Sequence, residues 1–215
     1  MLRDCIELFY LGSESDPCGA VATTRSEGRF SCRVTFFTPD GQPAGGAAVI
    51  QTGRSILDWT DFDFVSDGQS TRGAQDRKGV TIAGERVAHA GAVLPSYGLS
   101  ALVLEMVQGA NRSAEFGLLD ESAPPACAVE GARLSRVGTE GVDSPVMGLV
   151  PECERIELTV GDRRTNTYWV SDGVIVASDW VGARSFALPV AAADALRLTL
   201  GPTVKDETSA STPGR

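Results

Sequence analysis

Apolar and polar residues alternate in short segments along most of this chain, the pattern of β-strands with one buried and one exposed face. The clearest segments are residues 29–37, 55–65, 155–160 and 165–170. In residues 155–160, for example, apolar side chains occupy the even positions and polar side chains the odd ones. Glycine, proline and aspartate separate the segments, so the pattern predicts many short antiparallel strands joined by tight turns.

Two copies of the sequence Val-Ser-Asp-Gly mark two of these turns. The first copy follows Phe64 and the second follows Trp169. Asp-Gly favours the positive φ angles that a two-residue hairpin turn requires. Each copy ends one strand-like segment and begins another, so each predicts a β-hairpin.

Residues 96–108 have a different periodicity. Their apolar residues recur at spacings of three and four, which gives one apolar helical face: Leu99, Leu102, Val103, Met106 and Val107. Ser96 is a candidate N-cap, and Gly109 is expected to stop the helix. Together with the strand pattern, this predicts a mainly β fold in which a strongly curved antiparallel sheet, or an open barrel, wraps one central α-helix.

Length and composition bound the domain organisation. The 215 residues suit one domain, and we expect residues 1–200 to form a single β-rich domain. Residues 201–215 are mostly Thr, Ser, Lys, Asp, Pro and Gly, which predicts a disordered C-terminal tail.

Charge narrows the classes of partner. The net charge is -9 and the sequence pI is about 4.7, which argues against nucleic acid and against anionic membrane surfaces as partners. No apolar run has the length of a signal peptide or of a membrane span. We therefore expect a cytoplasmic protein that is a monomer or a homodimer.

Motifs for metals and cofactors are absent from the sequence. The five cysteines lie far apart without a Cys-x-x-Cys pair, and His89 is the single histidine, so a zinc site is not expected. The chain also has no phosphate-binding loop, no dinucleotide fingerprint and no His-Glu-x-x-His motif. We accordingly expect no cofactor and no metal.

The predicted helix carries two candidate catalytic residues, Tyr97 and Glu105. They lie eight residues apart, about two helical turns, and so near one face. Glu105 interrupts an apolar segment, and a carboxyl group in an apolar pocket has a raised pKa and can act as a general acid. The alternative is that Glu105 points into water beside Gln108.

Two further candidates for acid–base chemistry are His89 and Asp61. The small residues around His89 leave room for a ligand, although a structural histidine is the alternative. Strict alternation puts Asp61 on one strand face with Trp59 and Asp63, where the carboxylates could bind a cationic group or work as acid and base. The alternative is a solvated strand face.

The last predicted hairpin offers candidate residues for the walls of a binding pocket. Tyr168, Trp180 and Arg184 fall in or just after its two strands. Large aromatic side chains there can line a pocket for a flat apolar molecule, or they can belong to the core or the rim.

Residues 167–180, Thr-Tyr-Trp-Val-Ser-Asp-Gly-Val-Ile-Val-Ala-Ser-Asp-Trp, resemble the closing hairpin of bacterial β-roll proteins. The layout of about residues 5–200 is similar to that of the open half-barrels of lipoprotein-carrier type, a shape shared by a cofactor-free enzyme of violacein biosynthesis. The resemblance implies a curved sheet around one helix and assigns no catalytic residue. Without a leader in the sequence, it favours the cytoplasmic, biosynthetic branch.

These observations lead to one functional expectation and two alternatives. We expect a cofactor-independent enzyme, of cyclase or isomerase type, that acts on a hydrophobic small molecule in specialised metabolism. The candidate catalytic residues are Glu105, His89, Tyr97 and Asp61, and the candidate substrate-binding residues are Trp59, Tyr168, Trp180, Asp63 and Arg184. Glu105→Gln is then expected to lower turnover without unfolding the protein. The alternatives are a non-catalytic carrier of a lipid-like or aromatic ligand and an interaction module that uses exposed sheet edges.

Overall fold

The computed structural model of the chain describes residues 5–11, 17–37, 42–66, 68–89, 91–109, 111–121, 129–189 and 191. Within them lie one α-helix and fifteen strands of a single sheet. The helix α1 is Leu99–Gln108, and the strands are β1 (Cys5–Leu11), β2 (Gly19–Ser26), β3 (Arg29–Phe37), β4 (Pro43–Thr52), β5 (Trp59–Ser66), β6 (Gln69–Asp76), β7 (Gly79–Ile82), β8 (Glu85–Val87), β9 (Val93–Pro95), β10 (Ser113–Leu119), β11 (Val129–Ser144), β12 (Gly148–Val160), β13 (Arg163–Ser171), β14 (Val174–Asp179) and β15 (Ala183–Ala187). The mainly β fold predicted from the sequence is confirmed.

The strand order is a meander that starts in the middle of the sheet. Strands β1 to β8 follow one another outward to one edge, and β9 to β15 return from the other edge until β15 pairs with β1. Only five residues, 88–92, join the two edge strands, so both edges must lie near each other at that end. The sheet therefore curls into an open barrel.

The helix lies in the connection between two parallel strands. Among the described residues, β9 and β10 form a parallel pair, and every other pair of neighbouring strands is antiparallel. Adjacent parallel strands cannot be joined by a hairpin and need a crossover, which α1 supplies. Its side chains share one apolar core with the inner face of the sheet, and six of its ten residues are buried.

The two Asp-Gly hairpins form as predicted. Ser66 pairs with Gln69 across the first turn, and Ser171 pairs with Val174 across the second. In the second turn Asp172 has φ 50° and Gly173 has φ 73°, the two positive values of a primed hairpin turn.

The helix forms where predicted, but its first turn is held differently. Residues Ser96–Gly98 form a 3-10 turn that leads into α1, and α1 ends before Gly109. Ser96 does not cap the helix, so that prediction is wrong. The carboxylate of Glu121 instead accepts hydrogen bonds from the backbone N–H groups of Ser96 (2.7 Å) and Tyr97 (2.8 Å). At the other end, Arg136 donates to the carbonyl oxygens of Met106 and Gly109.

A β-bulge changes the predicted face of Trp59, whereas residues 61–65 follow the predicted alternation. A 3-10 turn at Ile56–Asp58 precedes β5, and the register between β4 and β5 shifts between Gln51 and Thr52. An extra residue in one strand reverses the alternation beyond it. Trp59 therefore points inward with Phe62 and Phe64, whereas Asp61 and Asp63 face outward.

The indole of Trp59 joins β5 to the edge strand β9. It is 1% exposed, and its Nε1 donates a 2.6 Å hydrogen bond to the carbonyl oxygen of Val93. Trp59→Phe would keep the edge-to-face contact with Phe62 but would leave this buried carbonyl without its donor. We expect a loss of about 2 kcal/mol in the free energy of unfolding, measured by chemical denaturation.

Trp169→Phe is the matched control for that substitution. The hydrogen bond from the Trp169 indole to Glu140 is exposed and the ring is half-buried, so the substitution is expected to cost less, about 1 kcal/mol in the free energy of unfolding. Equal losses in the two variants would contradict the role given to Trp59.

No helix among the described residues is long and apolar enough to cross a membrane. The predicted tail, residues 201–215, lies outside the described residues.

Candidate functional site

The curled sheet and the start of α1 enclose a cavity of about 760 Å³. It lies between the Ser96–Gly98 turn with the first turn of α1 and residues of β1, β2, β3, β10, β11, β12, β13 and β14. Its walls are largely apolar: Val21, Val34, Leu99, Leu118, Leu158 and Val160. A volume and lining of this kind suit a small, mainly apolar molecule.

A buried carboxyl group, that of Glu7, lies in the wall of this cavity. Glu7 is on β1 and is only 4% exposed. Ser185 donates a 2.5 Å hydrogen bond to its Oε2, and the Ser178 hydroxyl lies 3.3 Å from the same oxygen. The two serines sit opposite each other on β14 and β15, so the sheet register brings both hydroxyls to the carboxyl group.

The hydrogen bonds around Glu7 continue to an aromatic wall. The Ser178 and Ser185 hydroxyls are 2.5 Å apart, and the Trp180 indole donates a 2.8 Å hydrogen bond to Ser178. Trp180 also meets Phe9 edge to face, with ring centroids 6.4 Å apart. These contacts fix the Trp180 ring where it lines the cavity, and they link it through both hydroxyls to Glu7.

The surroundings of Glu7 change its acidity. Burial raises the pKa of Glu7 from its ordinary value of 4.5 to about 7, and the hydrogen bonds from Ser185 and Ser178 lower the pKa only in part. A group with a pKa near the ambient pH exists in both protonation states and can therefore either give or accept a proton.

Two phenol groups also line the cavity, those of Tyr97 and Tyr168. Burial raises the pKa of both. Asn166 donates a 3.1 Å hydrogen bond to the Tyr168 hydroxyl, and the Tyr97 ring packs 5.0 Å from that of Phe64. Both phenols stay neutral at physiological pH and can donate hydrogen bonds to a bound molecule.

Glu121 sets the position of Tyr97. It is fully buried, and burial raises the pKa of its carboxyl group although backbone donors lower that pKa in part. Because it binds the backbone of Ser96 and Tyr97, it orients the turn that carries the phenol into the cavity.

Three of the sequence-predicted residues meet at the cavity: Tyr97, Tyr168 and Trp180. Glu105 is not among the cavity-lining residues. Its carboxylate pairs with Arg25 at 2.5 Å and accepts hydrogen bonds from the Ser55 hydroxyl at 2.7 Å and from the Ile56 N–H at 3.0 Å. Glu105 therefore points neither into an apolar pocket nor freely into water but ties α1 to β2 and to the turn before β5.

The other predicted residues also lie elsewhere. Trp59 belongs to the core, and exposed His89 lies against Gly117, outside this cavity. Asp61 and Asp63 face solvent, where Asp63 pairs with Arg72 at 2.7 Å. Arg184 is half exposed, 3.9 Å from Asp179.

Sequence reasoning missed Glu7 and Glu121. Glu7 interrupts the apolar run of residues 6–11, which is the same signal that singled out Glu105. Glu121 carries no such signal, because its partners are backbone N–H groups brought near by the fold.

Metal ligands do not cluster in the described part of the chain. It contains no group of three or more His, Cys, Asp or Glu side chains that could hold a metal ion.

Comparisons with known proteins give no match from which a function could be inferred, so the geometry of the cavity is the basis for one. No protein family model matches the chain, and searches of curated proteins and of solved structures find no significant match. The large curled sheet is consistent with the β-roll or half-barrel shape that the sequence resembles.

Proposed function

We propose that this protein is a cofactor-independent enzyme that binds a hydrophobic small molecule in the cavity and moves a proton with Glu7. The observation that carries the proposal is a carboxyl group, 4% exposed, in the wall of a largely apolar cavity. A carboxyl group in that setting can take a proton from one atom of a bound molecule and return it to another.

Such a proton shift is the chemistry of an isomerase or of a cyclase. The apolar walls would exclude water and hold the molecule in a reactive conformation. The neutral phenols of Tyr97 and Tyr168 would donate hydrogen bonds to an oxygen on which negative charge develops. Val34 and Leu158 line the cavity and would supply apolar contact without competing acid–base groups.

Binding in the cavity is tested with N-phenyl-1-naphthylamine, a fluorescent apolar probe. Val34→Trp fills part of the cavity and is expected to weaken probe binding by about tenfold or more, a loss of at least 1.4 kcal/mol. Val65→Trp is the matched control, because Val65 is exposed on β5 and does not line the cavity. It is expected to bind like the wild type.

Equal binding by wild type, Val34→Trp and Val65→Trp would contradict the proposal. Circular dichroism establishes that each variant is folded. If Val34→Trp does not fold, Val160→Trp repeats the test at a half-buried wall position.

The second candidate is a carrier that binds the same class of molecule without changing it. The observation that favours it is that three of the four predicted catalytic residues, Glu105, His89 and Asp61, do not line the cavity. Wild type and Glu7→Gln are incubated with a small-molecule extract in D₂O and followed by mass spectrometry. An enzyme gives deuterated product that depends on Glu7, whereas a carrier gives a retained, unlabelled ligand in both proteins.

A further inference from the structure

The charges that line the cavity are predominantly negative. Glu7 is buried in its wall, and Asp120 and Glu130 are exposed at its opening. Arg163 is the single basic residue among the described cavity-lining residues, and it is also exposed. A positively charged group would therefore gain energy by entering, and a carboxylate would be repelled.

The hydrogen bonds of Glu7 leave one of its oxygens for a ligand. Both serine hydroxyls lie at Oε2, and no donor among the described residues reaches Oε1. Oε1 is not among the buried side-chain atoms that lack a partner, so it is accessible from the cavity, where a bound molecule can donate a hydrogen bond to it. The buried Ser100 hydroxyl, which also lines the cavity, has no hydrogen-bond partner either.

We infer that the ligand is an apolar molecule with a basic nitrogen, and that this nitrogen donates to Oε1 of Glu7. The inference rests on the proposed function, because it places the ligand in the same cavity. A protonated amine neutralises the buried charge and forms a charge-assisted hydrogen bond, which an alcohol of the same shape cannot match. The Trp180 ring, held beside Ser178, adds an aromatic surface of the kind that attracts cations.

The experiment compares three probes with the same apolar body: 1-naphthylmethylamine, 1-naphthylmethanol and 1-naphthoic acid. Their dissociation constants are measured by calorimetry at pH 8, where Glu7 is mostly ionised. The amine is expected to bind about tenfold more tightly than the alcohol, and the acid most weakly.

Two variants assign the preference to Glu7. Glu7→Gln is expected to bring the amine and the alcohol to within about twofold of each other, because the charge is lost and the shape is kept. Glu85→Gln removes the same charge from an exposed position on β8 and is expected to keep the tenfold preference. A preference that persists in Glu7→Gln would overturn the inference.

The wild-type protein alone decides the inference even if Glu7→Gln does not fold. If the alcohol or the acid binds as tightly as the amine or more tightly, the inference of a basic nitrogen is wrong, although the cavity is still a binding site. Failure of all three probes while N-phenyl-1-naphthylamine binds also overturns it and spares the proposed function. Failure of all four probes overturns both.

Discussion

Glu7→Gln is expected to be more stable than the wild type at pH 7 and above, by a margin that grows from about pH 4.5 to about pH 7 and then levels off. In the folded protein the pKa of Glu7 is about 7, whereas an unfolded chain returns it to the ordinary 4.5. Between these values the folded state binds the proton and the unfolded state has lost it, so the free energy of unfolding falls as pH rises. Below about 4.5 both states are protonated and the penalty vanishes.

The size of this effect follows from the raised pKa. From pH 5 to pH 8, ionisation of Glu7 is expected to reduce the free energy of unfolding by about 2 to 3 kcal/mol. Glutamine is neutral at every pH in this range and has nearly the shape of glutamate. The free energy of unfolding of Glu7→Gln is therefore not reduced in this way. Denaturant unfolding of both proteins between pH 5 and pH 8 measures the difference.

Glu85→Gln is the control for the pH series, since it removes a carboxyl group that is exposed on β8 and lies outside the cavity. Its difference from the wild type should stay constant with pH. A constant difference for Glu7→Gln as well would show that the Glu7 carboxyl group is solvated, contrary to its position in the structure.

Glu105→Ala is expected to reduce the free energy of unfolding by about 2 to 3 kcal/mol. The substitution removes the partner of Arg25 and the acceptor for the Ser55 hydroxyl and the Ile56 N–H. The Arg25 and Glu105 side chains are 21% and 19% exposed, so the expected cost is below that of a fully buried pair. Chemical denaturation at pH 7 measures it.

Asp63→Ala provides the comparison for Glu105→Ala. The Asp63–Arg72 pair is more than half exposed, and its loss is expected to change the free energy of unfolding by less than about 1 kcal/mol. Folded Glu105→Ala should also still bind the apolar probe. Loss of probe binding by the folded variant would instead support the sequence-based hypothesis that Glu105 acts on substrate.

Local signals were sufficient to predict the fold. The Asp-Gly turns, the period-two segments and one helical segment each depend on neighbouring residues. They recur in the structure, except that the first part of residues 55–65 forms the 3-10 turn before β5. The inward face of Trp59 could not be predicted, because the bulge that turns it inward arises from pairing with β4. The hydrogen bonds from the turn before the helix to Glu121 could not be predicted either, because Glu121 lies 24 residues beyond Tyr97 and only the fold brings the two together.

The candidate site depends on contacts between distant parts of the chain. The hydroxyls at Glu7 belong to Ser178 and Ser185, which lie 171 and 178 positions later in the chain. They come close to Glu7 because β15 returns to pair with β1. Alternation within residues 6–11 places Glu7 on the other face of the strand from Ile6 and Leu8. It does not indicate which of the two faces is concave. Tyr168 and Trp180 were candidates because large aromatic side chains in the last hairpin can line a pocket, but the sequence alone could not separate this from a place in the core or the rim.

Everything proposed for this protein requires that Glu7 lies in a sheltered interior between α1 and the curled sheet. The most direct measurement is an NMR titration of the Glu7 side-chain carboxyl carbon in the wild type, assigned by its absence in Glu7→Gln. The structure predicts a midpoint of about 7. A midpoint near 4.5 would mean that water surrounds the carboxyl group, and neither the proton transfer nor the amine contact would then have a site.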